Sequence, residues 1–400
     1  MSTVTQELPG IRVSDALPRA VRAAPGGPAI SSAPMLIRER ALHSGLLRWS
    51  TQLRETIGET LRESRDVYRF AYEFSRVGNN TALIAVHDGA GRVAAGLVKR
   101  QLRWINRLIR RSGVVAITDF TVSPWINHAR LDTFTGEWES ALRRLEAVEE
   151  CRRRNLLRLG HGVPGLNLDA PDREGYKRYL RDLYVSEGLK ALLVNARWQE
   201  ALDFAASLGE DDPDWIRCTV DEAVAVAACR LGDYERAGQA CVDGIRRVRG
   251  WEGAALRVRR AEVLACAGET GRARTAITGF LPAFCSASIE PDNLQRVLAA
   301  LYPMLRAAQL CEELGMDDES AAVAERTYAV ASRAGDEVFA IESARVLARV
   351  APDSEPWMER VERLETGTMY KRFRRGPRDE ERGETLDRLY EEAAAAFDML

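Results

Sequence analysis

Lysine is nearly missing from this chain. Only Lys99, Lys177, Lys190 and Lys371 carry an ammonium group, and every other cation is an arginine. The positive surface is therefore made of guanidinium groups, which pair bidentately with carboxylates and phosphates. A dominant charge sign is also lacking. The formal net charge of −2 over 400 residues excludes a global pull toward nucleic acid or membrane, so any such attraction must come from a local patch. No CxxC or CxxH spacing links the seven cysteines, which argues against zinc and against a disulfide framework. Most of them sit in alanine-rich stretches, where a thiol packs as a small hydrophobe. No apolar run approaches the roughly 20 residues of a membrane span, and the first residues show no signal-peptide pattern. A reducing cytoplasm is the expected compartment. HExxH, GxSxG and GxxxxGK[ST] are absent, and no cofactor is expected.

What the chain has is helix. Residues 1–34 are rich in Pro, Gly, Ser and Ala without an apolar period and predict a disordered leader. Residues 35–125 carry helical spacing and form an N-terminal helical region, with a helix expected from about Val93 to Arg111. Val114–Trp125 is β-rich in propensity but too short for a sheet, and is expected as a buried linker or short helix. Residues 351–400 open on the breaker cluster Pro352 to Pro356. A helix from about Pro356 to Glu365 follows, then the charged stretch 371–378 and a terminal capping helix, Thr385–Leu400.

Between them, over 126–350, one turn recurs. Gly136-Glu137-Trp138, Ala196-Arg197-Trp198, Gly232-Asp233-Tyr234 and Gly268-Glu269-Thr270 are each followed by an alanine five positions after the small residue: Ala141, Ala201, Ala237 and Ala273. The last three turns lie 36 residues apart, and the first precedes the second by 60, leaving room for an insertion around Gly160–Gly175. A looser fifth copy, Gly315 to Ala321, carries one extra residue. Seven positions before the turn stand Ala129, Ala225 and Ala261 in three copies. Each part has a mechanical reading. The small residue closes a first helix at positive φ, the polar residue caps a second helix, the aromatic wedges between the two, and the alanines let them cross closely.

These residues resemble the tetratricopeptide repeat family, whose turn reads like Gly-Asp-Tyr-x-x-Ala at a period near 34. Leu231 to Ala237 is a close match. The family's tryptophan near the start of the first helix stands only as Trp125, before the first copy. The expected architecture is all-α: a superhelical array of antiparallel hairpins preceded by an N-terminal helical region. The resemblance implies a protein or peptide ligand in a concave groove lined by the first helices.

Two other features carry chemistry. In residues 97–111, Lys99, Arg100, Arg103, Arg107, Arg110 and Arg111 fall opposite an apolar stripe of Val98, Leu102, Ile105 and Ile109, with Trp104 at the boundary. Such a face suits tRNA or other nucleic acid, and with it an RNA-handling protein or transferase. His128 and Asp132, four apart, form a candidate oriented pair for general-base work. His161 lies in Gly160-His161-Gly162-Val163-Pro164-Gly165, which spells GxGxxG but lacks the strand-to-helix context and reads as a turn. A small-molecule enzyme of specialised metabolism using His128 and His161 is the third expectation.

Overall fold

The computed structural model describes scattered residues between 95 and 110, then 122–159, 165–209, 212–248, 250–286, 289 and 294–367. The expected leader, the terminal helix and the 371–378 stretch lie outside the described residues. So do Arg100, Arg107, Arg111 and His161. Among the described residues the chain is helical apart from one two-stranded antiparallel hairpin. The contacts separate two units, divided between Ala191 and Leu192.

In the first unit, α1 (Val122–Phe134) pairs with α2 (Trp138–Arg153). Val122 to Trp125, expected within a buried linker or short helix, open α1, with Val122, Pro124 and Ile126 buried. The interval expected to hold an insertion contains strands β1 (Leu156–Leu157) and β2 (Leu166–Asn167), paired Leu156 to Asn167 and Leu157 to Leu166. The glycine-rich hexapeptide joins these strands. A Cβ on Gly165 would lie 2.5 Å from Leu156 Cδ1, so a larger residue there would displace the Leu156 side chain. A short 3-10 turn then leads into α3 (Glu174–Val194).

The second unit continues with α4 (Trp198–Ser207), α5 (Asp214–Arg230), α6 (Tyr234–Arg247), α7 (Gly250–Cys266) and α8 (Thr270–Thr278). The short α9 (Leu281–Ser286) follows, then α10 (Leu294–Glu313), α11 (Asp317–Ala334), α12 (Glu337–Val350) and α13 (Glu355–Gly367). Neighbours in sequence pack as hairpins. First helices also pack on one another: α5 against α7, α7 against α10, and α10 against α12. This sequential packing is compatible with a helical repeat.

The turn chemistry explains the hairpins. Gly136, Gly232, Gly268, Gly315 and Gly335 all have positive φ, between 66° and 88°, and Ala196 joins them at 56°. Around each, the same two bonds form. At Gly232, its N–H donates to Cys229 O at 3.1 Å and the Asp233 N–H reaches back to Ala228 O at 2.9 Å. This 5→2, 6→1 pair satisfies the last carbonyls of the first helix. Gly315 corrects the expected extra residue. Its second helix starts two positions later, at Asp317, as in every other copy, and Ser320 takes the alanine's place five positions on. The Ser320 hydroxyl donates to Ala308 O at 2.8 Å, and Ala308 is the residue seven before the turn. The crossing alanines Ala141, Ala201, Ala237 and Ala273 are all buried, as are Ala129, Ala225 and Ala261.

Two expectations about the turn are corrected. The polar residue caps the second helix at Asp233, which accepts from Arg236 N at 3.0 Å, but Glu137, Arg197 and Glu269 make no side-chain cap. Aspartate has the short acceptor arm that capping needs, whereas glutamate is a methylene longer and arginine has no acceptor. Nor is the aromatic a wedge at every copy. As the first residue of its helix Tyr234 points outward and is 38% exposed, while Trp198 is half-buried beneath the Arg230 guanidinium, 5.8 Å from the ring centre.

Ala196 is the one turn residue whose Cβ opposes its conformation. A left-handed backbone costs an L-residue roughly 1–2 kcal/mol, part of which glycine returns as unfolded-state entropy. Ala196→Gly is therefore expected to stabilise the chain by about 0.5–1 kcal/mol, read as a raised midpoint in urea unfolding. A lowered midpoint would show that the methyl group's packing matters more than its strain.

Candidate functional site

The first helices carry polar residues where their alanine-rich sequences promise only core. In the first unit the polar positions are nine and six before the turn residue. Asn127 and Arg130 stand there on α1, and Glu187 and Lys190 on α3. Arg130 Nε donates to Glu187 Oε1 at 2.8 Å, and Lys190 Nζ meets Glu187 Oε2 at 2.7 Å with both side chains buried.

The second unit repeats the device more fully. Arg259 and Glu262 occupy the same two positions on α7, and Arg306 and Gln309 occupy them on α10. Arg259 Nη1 donates to Glu262 Oε2, and Arg306 Nε donates to Glu262 Oε1, so one buried carboxylate bridges two buried guanidiniums on adjacent helices. Glu313 closes the far end, accepting from Arg306 Nη1 at 2.9 Å and Nη2 at 3.2 Å. At the near end, Arg259 Nη2 donates to Tyr302 Oη at 3.3 Å, and that hydroxyl donates to Glu222 Oε1 on α5 at 3.0 Å. Three first helices are thus linked through side chains on one shared face.

The electrostatics follow from burial. Desolvation alone would lower the pKa of Arg259, but the carboxylates of Glu262 and Glu222, with Tyr302, more than offset it and hold the guanidinium charged. Burial and Glu222 push the Tyr302 hydroxyl well above its usual range, so it remains a donor. At the outer edge, Glu222 is only partly covered. Seven residues before it on α5 stands Trp215, 44% exposed. A spacing of seven puts both on the same side of a helix, roughly 10 Å apart along its axis.

No protein-family model and no curated protein matches this chain.

The residues singled out from sequence are placed as follows. His128 and Asp132 share α1, and the Arg144 guanidinium from α2 meets both: its Nε donates to Asp132 Oδ2 at 2.7 Å and its Nη2 lies 3.2 Å from His128 Nε2. Arg144 also lies over the Trp125 ring, and the Trp125 indole N–H donates to Arg144 O at 2.8 Å. Asp132 thus serves the arginine. Burial first, then the Arg144 charge, lowers the pKa of His128 and keeps its ring neutral. Because the folded pKa lies below the unfolded value of 6.5, this ring stabilises the fold fully above pH 6.5. That contribution is lost as pH falls toward the folded-state pKa. His128→Gln is expected to flatten the decline of the thermal midpoint below pH 6.5 relative to the unaltered chain. Parallel curves for the two proteins would show that the histidine is not the responsible group.

Among the described cations of the basic segment, Lys99, Arg103 and Arg110 are exposed, while Val98 and Ile105 are buried. Among the described residues no cluster of His, Cys, Asp and Glu is arranged to hold a metal ion, and no helix is long and apolar enough to cross a membrane.

Sequence reasoning missed the linked charges. Their signal was available as Glu187-x-x-Lys190 and Arg259-x-x-Glu262. Each is an opposite-charge pair at i, i+3, set at a fixed distance before a turn in helices whose neighbours are core residues.

Proposed function

We propose that this chain is a tetratricopeptide-like scaffold, and that the shared face of α5, α7 and α10 holds a protein or peptide partner. The observation that carries this reading is the pairing of an exposed tryptophan with a carboxylate fixed from beneath. An exposed Trp215 offers the large amphipathic anchor that dominates protein interfaces. Glu222 is held by Tyr302 and Arg259, so less side-chain freedom remains to be lost when a ligand's donor meets it. The repeat resemblance supplies the remainder: in that family the first helices line the groove. Ala225 and Ala261, which mark the hairpin crossings, are fully buried and report on folding rather than on binding.

The test is capture by the full-length chain. The expected result is a defined protein partner whose affinity falls at least tenfold in Trp215→Ala, a loss of about 1.4 kcal/mol or more, with an unchanged unfolding midpoint. Equal capture by both proteins, or no protein partner across conditions, overturns the reading.

A second reading, nucleic-acid handling, draws support from the outward-facing Lys99, Arg103 and Arg110. Filter binding of tRNA and duplex DNA at several salt concentrations tests it. Steeply salt-dependent retention supports it, and its absence removes it.

A further inference from the structure

The strip of α5 that carries Trp215 and Glu222 has a definite charge. Both donors beneath Glu222 use the same oxygen: Tyr302 Oη donates to Oε1 at 3.0 Å, and Arg259 Nη2 to Oε1 at 3.4 Å. Among the described residues none donates to Oε2, and the Glu222 side chain is 27% exposed. One oxygen is therefore braced and the other is open to an incoming donor. The linked side chains, Arg259 and Arg306 with Glu222, Glu262 and Glu313, set two guanidiniums against three carboxylates and leave one negative charge.

The cations of α5 are engaged elsewhere. Arg217 Nη1 donates to Gly209 O at 3.4 Å, and the Arg230 guanidinium lies over the Trp198 ring. Asp214, exposed beside Trp215, adds negative charge. Thr219, half-buried between Trp215 and Glu222, donates its hydroxyl to Trp215 O at 3.3 Å. On α7, which packs on α5, the turn spacing of 36 residues sets Trp251, Ala255 and Val258 at the places of Trp215, Thr219 and Glu222. Trp251 stacks on Phe284 with ring centres 5.7 Å apart, and Trp251 and Ala255 remain partly exposed. By helical angle, the exposed Arg257 and Arg260 fall on the other side of α7. The surface is thus apolar at its tryptophans and negative at Glu222.

We infer that the segment seated on this strip is a basic peptide, whose arginine or lysine bonds Glu222 Oε2 while an apolar residue beside that cation covers Trp215. The inference rests on the scaffold reading above and narrows its partner by charge. Trp215 and Glu222 stand about 10 Å apart along the helix axis, which an extended peptide covers in about three residues. The new bond is charge-assisted, and a carboxylate already braced by Tyr302 and Arg259 loses little freedom in making it. An acidic peptide would meet Oε2 and Asp214 with like charge and is disfavoured.

The test is selection from a random decapeptide library displayed on phage, against the full-length chain, with affinities then measured on the selected peptides in synthetic form. The expected peptides carry an arginine or lysine within about three positions of an apolar residue. Replacing that arginine by citrulline, or that lysine by acetyl-lysine, should weaken binding at least tenfold, and Glu222→Gln and Trp215→Ala should each do the same. The neutral-peptide arm needs no protein variant, so it decides even if Glu222→Gln fails to fold. Peptides whose binding needs Trp215 but not the cation overturn this inference and leave the scaffold reading standing, as do selected acidic peptides. A cation whose contribution survives Glu222→Gln unchanged also overturns it. Selection of no peptide at all overturns both readings.

Discussion

Glu262→Ala is expected to destabilise the second unit by about 3–5 kcal/mol, the largest effect of any single truncation described for it. The reason is the asymmetry of buried charge. Glu262 is the carboxylate shared by Arg259 and Arg306, and all three side chains are buried. Removing it leaves two guanidiniums in a low-dielectric setting. Arg259 keeps Glu222, at 3.4 Å, and Arg306 keeps Glu313. Both of those acids sit nearer the solvent, where attraction is weaker. The measurement is thermal unfolding, with a fall in midpoint on the order of 10 °C. A triple variant, Arg259→Met with Glu262→Leu and Arg306→Met, should recover most of the loss, since well-packed apolar groups replace buried ion pairs at little cost. A small effect of Glu262→Ala alone would mean that water reaches the site and screens the arginines.

The second large effect is expected from bulk at a hairpin crossing. Ala273→Leu adds three carbons where α7 and α8 meet, against a residue with no exposed surface. Overfilling a close-packed contact costs about 1–3 kcal/mol, and helices held at their joint by a tight turn have little room to separate. Ala237→Leu, at the equivalent place between α5 and α6, should cost a similar amount. There Gly244 adds a second close contact, since a Cβ on it would stand 2.6 Å from Leu256 Cδ1 and 3.1 Å from Asp221 Cβ. Urea unfolding measures both variants. Tolerance of leucine at either place would show that the crossings are loosely packed and that the small residues are incidental.

Much of this architecture can be read from the letters, because the turn is a local device. A small residue at positive φ, a helix start two positions later and a buried small residue five positions later depend on backbone sterics within a dozen residues. The pattern at Gly232 therefore transfers to Gly136, Gly268 and Ala196. Where the reading failed, distance was the cause. Ser320 looks polar and out of register until Ala308, twelve residues away, supplies its acceptor. Tyr234 and Trp198 carry interchangeable letters, yet only Trp198 has an arginine from a later helix above it. The link between α7 and α10 was illegible for the same reason: Arg259-x-x-Glu262 can be read on one helix, but Arg306 meets Glu262 only when the two helices lie side by side. His128 and Asp132 were legible as neighbours on one helix face, but Arg144, which occupies them, comes from the next helix.

The uniform joint also governs where this chain tolerates change. The interval between Gly136 and Ala196 has absorbed a β-hairpin, and that between Gly268 and Gly315 has absorbed the short helix Leu281–Ser286, while the bonds at every joint stay the same. Growth has been taken up in the spans, leaving the hinges of the array as its invariant grammar. Foreign segments grafted into the spans would inherit that tolerance, whereas a residue added at a hinge would break the paired bonds that close the first helix.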